Sequence, residues 1–290
     1  MRAVITRGVA VCIAAALALG VGLSGSAGTA GAAQSKPKLV RIIKREGTFT
    51  ATLTYVQRRS DFGPSISHVL LRIERSGHLV VRRRICQRGA SLSSRYRCRW
   101  DLGSPSLVVA HVGPRNAPAF LVDLWTGGNT CCGDWSLVIL SPRVVWVRHV
   151  WTWMDAGSQR IRNRSVFSTG DGRFYCSFSV CAGGTTPLQL WEIDSANRFV
   201  DVTRNFPRLI RKQAHALATG GGPHATIRDQ GSGVLASWCA DEYLLGNGRH
   251  CVRVLAYAVK HHPANMQGAE PTRGFVRGLN RDLRRWGYKH

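Results

Sequence analysis

The chain has 290 residues, 44% of them hydrophobic and 8% aromatic, which excludes an intrinsically disordered protein and leaves room for one large domain or two modest ones. Lys and Arg number 40 against 16 Asp and Glu, a formal net charge of +24. Most of this excess is arginine, scattered along the chain rather than collected in one motif. The first reading is therefore general basicity, and the second a surface that attracts polyanions.

Arg2 and Arg7 precede an apolar run over 8–23, and Ala30-Gly31-Ala32, with Ala33 beside it, offers a small-residue cleavage site. This predicts a signal peptide over 1–33 and a secreted or extracytoplasmic protein. The run is short for a bilayer span and no later segment is apolar enough, so no transmembrane span is expected after cleavage. Residues 34–46 read as a loose basic leader.

From 47 to 204 the pattern is mainly strand. TFTATLTYV (48–56) alternates, and two alternating runs over 68–85 flank Ser76-Gly77, a hairpin signal. SLVVAHV (106–112) and AFLVDLW (119–125) are separated by Gly113, Pro114, Asn116 and Pro118. WSLVIL (135–140) and RVVWVRHVWTW (143–153) join through Ser141-Pro142, and RFYCSFSVC, PLQLWEI and RFVDVT follow as further strands. The stretches 120–140 and 174–193 share a strand, a Gly-Gly pair and a second strand. Gly127 and Gly183 lie 56 positions apart, a faint repeat at blade-like spacing. From 205 to 290 helical signals take over. Pro207 opens RLIRKQAHAL, VLASWCADEYLLG ends at Gly246, and VRVLAYAVK favours helix. In the last helix, capped by Thr272, Phe275, Leu279, Leu283 and Trp286 share one face. Arg273, Arg277, Arg281, Arg284 and Arg285 take the other, read as a solvated face. The fold class predicted is α+β: a mainly antiparallel β part, propeller-like or sandwich-like, followed by a helical part packed on it.

Eight cysteines lie beyond Cys12. In an exported chain their even number implies disulfides. Spacing suggests Cys86 with Cys98, Cys176 with Cys181 and Cys239 with Cys251. That leaves Cys131 and Cys132 for each other, in a turn that Gly127, Gly128 and Gly133 would accommodate. The alternative is that Cys131 and Cys132 reach two different partners.

The order VVAHVGPRNAPAFLVDLWTGGNTCC…LVIL, then VFSTGDGRFYCSFS, PLQLWEID…RFVDVTRNFP and ADEYLLG, resembles exported actinobacterial proteins with degenerate FG-GAP or VCBS-type repeats. These are related to the β-propeller repeats of integrin α chains. The resemblance covers roughly 106–246 and implies a secreted β-rich protein, with no catalytic residue to carry over. Such repeats can hold calcium on closely spaced carboxylates. Here the corresponding loop has His111 and Arg115 and no acid, while Asp155 and Asp171 stand alone, so no metal or cofactor is assigned.

No G-x-S-x-G, H-E-x-x-H or P-loop string occurs. Gly231-Ser232-Gly233 reads as a helix cap and His261-His262 as an exposed loop pair. Asp241-Glu242 is expected to pair with Arg249 or Arg253. The function expected is a non-enzymatic binding or structural module at or outside the cell envelope. Its partner would be an anionic envelope polymer or another protein rather than a specific nucleic acid, with Trp146, Trp151 and Trp153 as the contact surface. The competing expectations are a secreted hydrolase assembled by the fold and a basic polyanion binder.

Overall fold

A computed structural model of the chain describes residues 36–60, 63–85, 99–101, 105–125, 133–141, 143–150, 157–161, 164–175, 177–178, 185–220, 226–263 and 272–289. Its strands form three antiparallel sheets. The first runs in order through β1 (Lys38–Glu46), β2 (Phe49–Ser60), β3 (Gly63–Arg75) and β4 (His78–Arg84), with β5 (Arg99–Asp101) also on β3. The second holds β6 (Ser106–Val112), β7 (Ala117–Trp125), β8 (Gly133–Ile139) and β9 (Val145–Val150). The third holds β10 (Gly157–Ile161), β11 (Arg164–Gly170), β12 (Leu188–Ile193) and β13 (Phe199–Asp201). The second and third are up-and-down meanders in chain order, as are β1 to β4 of the first. Four helices follow: α1 (Pro207–Thr219), α2 (Ser232–Leu244), α3 (Gly248–His261) and α4 (Thr272–Arg285). The protein is thus α+β, with its strands toward the N-terminal side of its helices.

Local chemistry accounts for these elements. Ser76 and Gly77 both take positive φ, 49° and 83°, the backbone that a two-residue turn between right-twisted strands requires. Gly113 and Asn116, at 70° and 50°, turn β6 into β7. Pro118 lies within β7 rather than in the turn, and its carbonyl accepts from the Leu140 N–H at 2.9 Å.

Three segments differ from the sequence reading. Residues 38–46 are not a loose leader but strand β1, paired with β2 at every position. Val40 and Ile42 pack inward, while the charges that suggested a solvated leader lie on the outside of an edge strand, where they block further pairing. The described part of RFYCSFSVC, residues 173–175 and 177–178, is not strand. Asp171 caps a 3₁₀ turn over Gly172–Phe174, and Phe174 and Phe178, four residues apart, both enter the helical core. The stretch 157–170, to which the sequence reading assigned no strand, holds the paired strands β10 and β11. Its first strand, GSQRI, has an exposed polar centre and so lacks apolar alternation.

Packing explains the order of the layers. One core joins Leu53, Leu71 and Ile73 of the first sheet to Phe120, Val122, Leu124 and Val138 of the second. The opposite face of the second sheet, with Leu121, Trp135, Leu137 and Ile139, meets Phe167 and Ile193 of the third. The middle sheet is covered on both sides, so β8 is buried at all seven positions. Each such large apolar side chain contributes roughly 1.5–3 kcal/mol on burial. The three layers also meet at His111 in β6. Its Nε2 lies 3.0 Å from Glu46 Oε1 of β1, and its N–H donates to Ser165 Oγ of β11 at 3.0 Å.

A third core belongs to the helices. Helix α2 is apolar nearly all round and lies at its centre. Phe275, Leu279 and Leu283 of α4 face inward, as their spacing predicts, and Arg277, Arg284 and Arg285 are exposed. Phe174 and Phe178 enter from the β part, so the turn after β11 ties the two together. Cys239 of α2 and Cys251 of α3 are disulfide-bonded, with Cα atoms 5.2 Å apart. Gly248 opens α3 against the Tyr243 ring, where a Cβ would lie 2.2 Å from a ring carbon.

Candidate functional site

The outer face of the first sheet carries an ordered array built by strand register. Alternation sends Ala51, Leu53, Leu71 and Ile73 inward, so their sequence neighbours face out. Three rungs result across the four strands. Arg41, Thr54, Leu70 and Arg84 form one, and Ile43, Thr52, Arg72 and Arg82 the next. Arg45, Thr50, Glu74 and Leu79 form the third. Five arginines, namely Arg41, Arg45, Arg72, Arg82 and Arg84, are exposed here. Strand spacing of ~4.8 Å and an i to i+2 rise of ~6.8 Å put them within an area of roughly 14 by 14 Å. Glu74 is the acid of the array, and it accepts from Arg72 Nη2 at 2.9 Å. Among the described residues the other four arginines meet no carboxylate at ion-pair distance. Leu39, Ile43 and Leu79 are 70%, 44% and 51% exposed, so apolar area lies between the charges.

On the inner side of β4, Arg83 sits over the Trp146 ring at 4.6 Å. Trp146 is half-buried against the first core rather than presented to solvent. Trp151 and Trp153 lie outside the described residues. So do Cys86, Cys98, Cys131, Cys132, Cys176 and Cys181, as well as Gly127, Gly183 and Asp155.

A second polar cluster occupies the joint between the third sheet and the helices. Asp171 is 2% exposed and is enclosed by donors. Arg173 gives it a backbone N–H at 3.0 Å, Nε at 2.8 and 3.0 Å, and Nη2 at 2.6 Å. The Tyr288 hydroxyl donates to the same carboxylate at 2.9 Å, and burial followed by the Asp171 charge pushes that phenol well above its usual range. Asp241 of α2 lies nearby, fully buried, with no side-chain hydrogen bond formed by its carboxylate. Burial raises its pKa well above the usual carboxylate value, the Leu188 N–H opposes this, and Glu242 adds to it. The expected pairing of Asp241-Glu242 with Arg249 or Arg253 is corrected: Glu242 Oε2 lies 3.3 Å from His250 Nδ1. Burial of α2 turns these acids away from the exposed side of α3.

In the middle sheet Asp134, 1% exposed, accepts from Arg148 Nε at 2.9 Å and from its Nη2. Asp123, across the strand pair from Trp135, is raised to about 6 by burial, against the lowering effect of the Trp135 indole and with a further rise from Asp134. His261 is the last residue of α3 rather than part of a loop, its ring 4.4 Å from that of Tyr257. Gly231 is the N-cap residue of α2, as expected, and Ser232 Oγ donates to the Phe178 carbonyl.

Among the described residues no group of three or more His, Cys, Asp or Glu side chains could hold a metal ion, and no helix is long and apolar enough to cross a membrane. Comparison with protein-family models, curated proteins and solved structures finds no match for the chain.

Sequence reading missed the arginine array. Its members come from β1, β3 and β4 and become neighbours only through register. The legible signal was the alternation of Arg41, Ile43 and Arg45, hidden by reading that segment as a leader.

Proposed function

We propose that this chain is an exported, non-enzymatic binding module that docks on an anionic polymer of the cell envelope through the outer face of its first sheet. The carrying observation is the set of Arg41, Arg45, Arg82 and Arg84, exposed and without acidic partners among the described residues, on one face of the first sheet. Arg82 and Arg84 are ~7 Å apart on β4, and Arg41 and Arg45 lie about 14 Å apart on β1, about 14 Å across the sheet, so guanidinium groups frame a face broad enough for several phosphate or carboxylate groups of one polymer. Thr50 and Thr52 between them offer hydroxyls to the same groups.

Export rests on the basic, apolar and small-residue order of the first 33 residues. Kinship with degenerate FG-GAP-type repeats is supported by the succession of antiparallel sheets, the second and third of them four-stranded meanders. In that arrangement Gly127 falls between the second and third strands of the second sheet, and Gly183 between those of the third.

The test is a pull-down of the oxidised chain lacking 1–33 on purified envelope polymer, against neutral polysaccharide and duplex DNA. Retention on the anionic envelope polymer above both competitors supports the reading. Equal retention on DNA points to unselective charge attraction, and retention on none removes the proposal.

A further inference from the structure

A cleft of about 390 Å³ lies between the β12–β13 end of the third sheet and the segment that follows α4. Its volume falls within the range of small-molecule sites. It lies away from the arginine array and shares no residue with it. Arg173, Arg204, Gln189, Asn205, Asp201 and Trp286 contribute to its lining.

The cations are held in place. Asp171 grips the Nε and Nη2 edge of Arg173, whose guanidinium carbon lies 5.4 Å from the Trp286 ring centroid. Arg204 Nη2 donates to the carbonyls of Gly287 at 2.8 Å and Tyr288 at 3.4 Å. Carbonyl acceptors orient a guanidinium without cancelling its charge, so Arg204 stands as a fixed cation. Among the described residues Arg204 meets no carboxylate at ion-pair distance, and Asp201, the carboxylate of the lining, turns its Oδ1 to the Thr203 N–H at 2.8 Å and hydroxyl at 2.5 Å. Trp286 is wedged against Phe174 and Phe178, with ring centroids 4.9 and 6.0 Å away, and gives the cleft a rigid flat wall. Preorganised charge beside a fixed aromatic plane is the arrangement that binds a ligand without a large ordering cost.

We propose that this cleft binds a small organic anion, a carboxylate or phosphate on a flat or ring-shaped body, with the oxyanion on Arg204 and the body against Trp286. Gln189 and Asn205 donate to the same head group.

Calorimetric titration of the full oxidised chain with phenyl phosphate, benzoate, inorganic phosphate and phenol tests the assignment. Saturable binding of phenyl phosphate or benzoate is expected, with phenol and inorganic phosphate each weaker by about tenfold or more, as loss of a charged hydrogen bond or of the stacked body implies. Phenyl phosphate ahead of benzoate assigns a phosphate ligand, and the reverse order a carboxylate. Arg204→Gln is expected to weaken the anion by a similar factor. Gln189→Glu, which leaves the Arg204 anchor intact, is expected to abolish binding by placing a like charge in the cleft. The proposal is overturned if no probe saturates, if phenol or inorganic phosphate binds as tightly as the ring-bearing anions, or if folded Gln189→Glu binds them unchanged.

Discussion

Asp123 and Asp241 are carboxyls whose pKa is raised by burial. For both, the folded pKa lies above the unfolded one, so the stability they contribute is complete below the unfolded value of 3.8 and is lost as pH rises toward the folded value. For Asp123 that window runs from 3.8 to about 6. At 1.36 kcal/mol per unit the loss is roughly 3 kcal/mol at most. Asp123→Asn should therefore gain stability relative to the parent between pH 4 and 7, and Asp241→Asn should gain in the same sense as pH rises above 3.8. Chemical denaturation at successive pH values measures this. Parallel curves for parent and variant would show that the carboxyl is ionised in the folded chain. Neither shift was legible in the sequence, because each depends on burial that only the packed layers create. The expected surface pairs of Asp241-Glu242 failed for the same reason: α2 is buried on nearly every side.

Elements with strong local signals were legible. The Ser76-Gly77 hairpin, strands β6 to β9 and the four helices follow alternation, turn residues and helical spacing. Strand β1, the β10–β11 hairpin and the Phe174–Phe178 turn were not, because their form is set by partners. An edge strand with charged residues outside looks like a leader, and two phenylalanines that enter a helical core look like a strand. The α2–α3 junction shows a tertiary constraint of a different kind. Gly248 has a helical position and ordinary φ, yet the Tyr243 ring leaves no room for a methyl group. Gly248→Ala raises helix propensity by up to about 1 kcal/mol but forces that ring aside. Net destabilisation of about 1–3 kcal/mol is expected, as for other overpacked sites. A variant at least as stable as the parent in thermal unfolding would mean that Tyr243 moves at little cost. The disulfide Cys239–Cys251 ties the same two helices, and here the spacing argument and the structure agree.

At the scale of the whole molecule, a net charge of +24 is uninformative until it is placed. Spread evenly, it gives weak, unselective attraction. Arranged on one open sheet face, it gives a surface with a preferred partner geometry. Arg41, Arg45, Arg82 and Arg84 are the four positions on which the docking proposal stands. The measurement that tests it most directly is the salt dependence of binding to a linear polyphosphate. The parent is compared with R41Q/R45Q/R82Q/R84Q and with a control of equal charge change on the helices, R208Q/R211Q/K212Q/R285Q. With a slope of about −0.7 for each neutralised phosphate, four arginines account for a change of about 3 in the slope of log K against log salt. The sheet variant should lose that much and the helix control little. Equal losses in the two variants, or an unchanged slope in the sheet variant, would contradict the docking face.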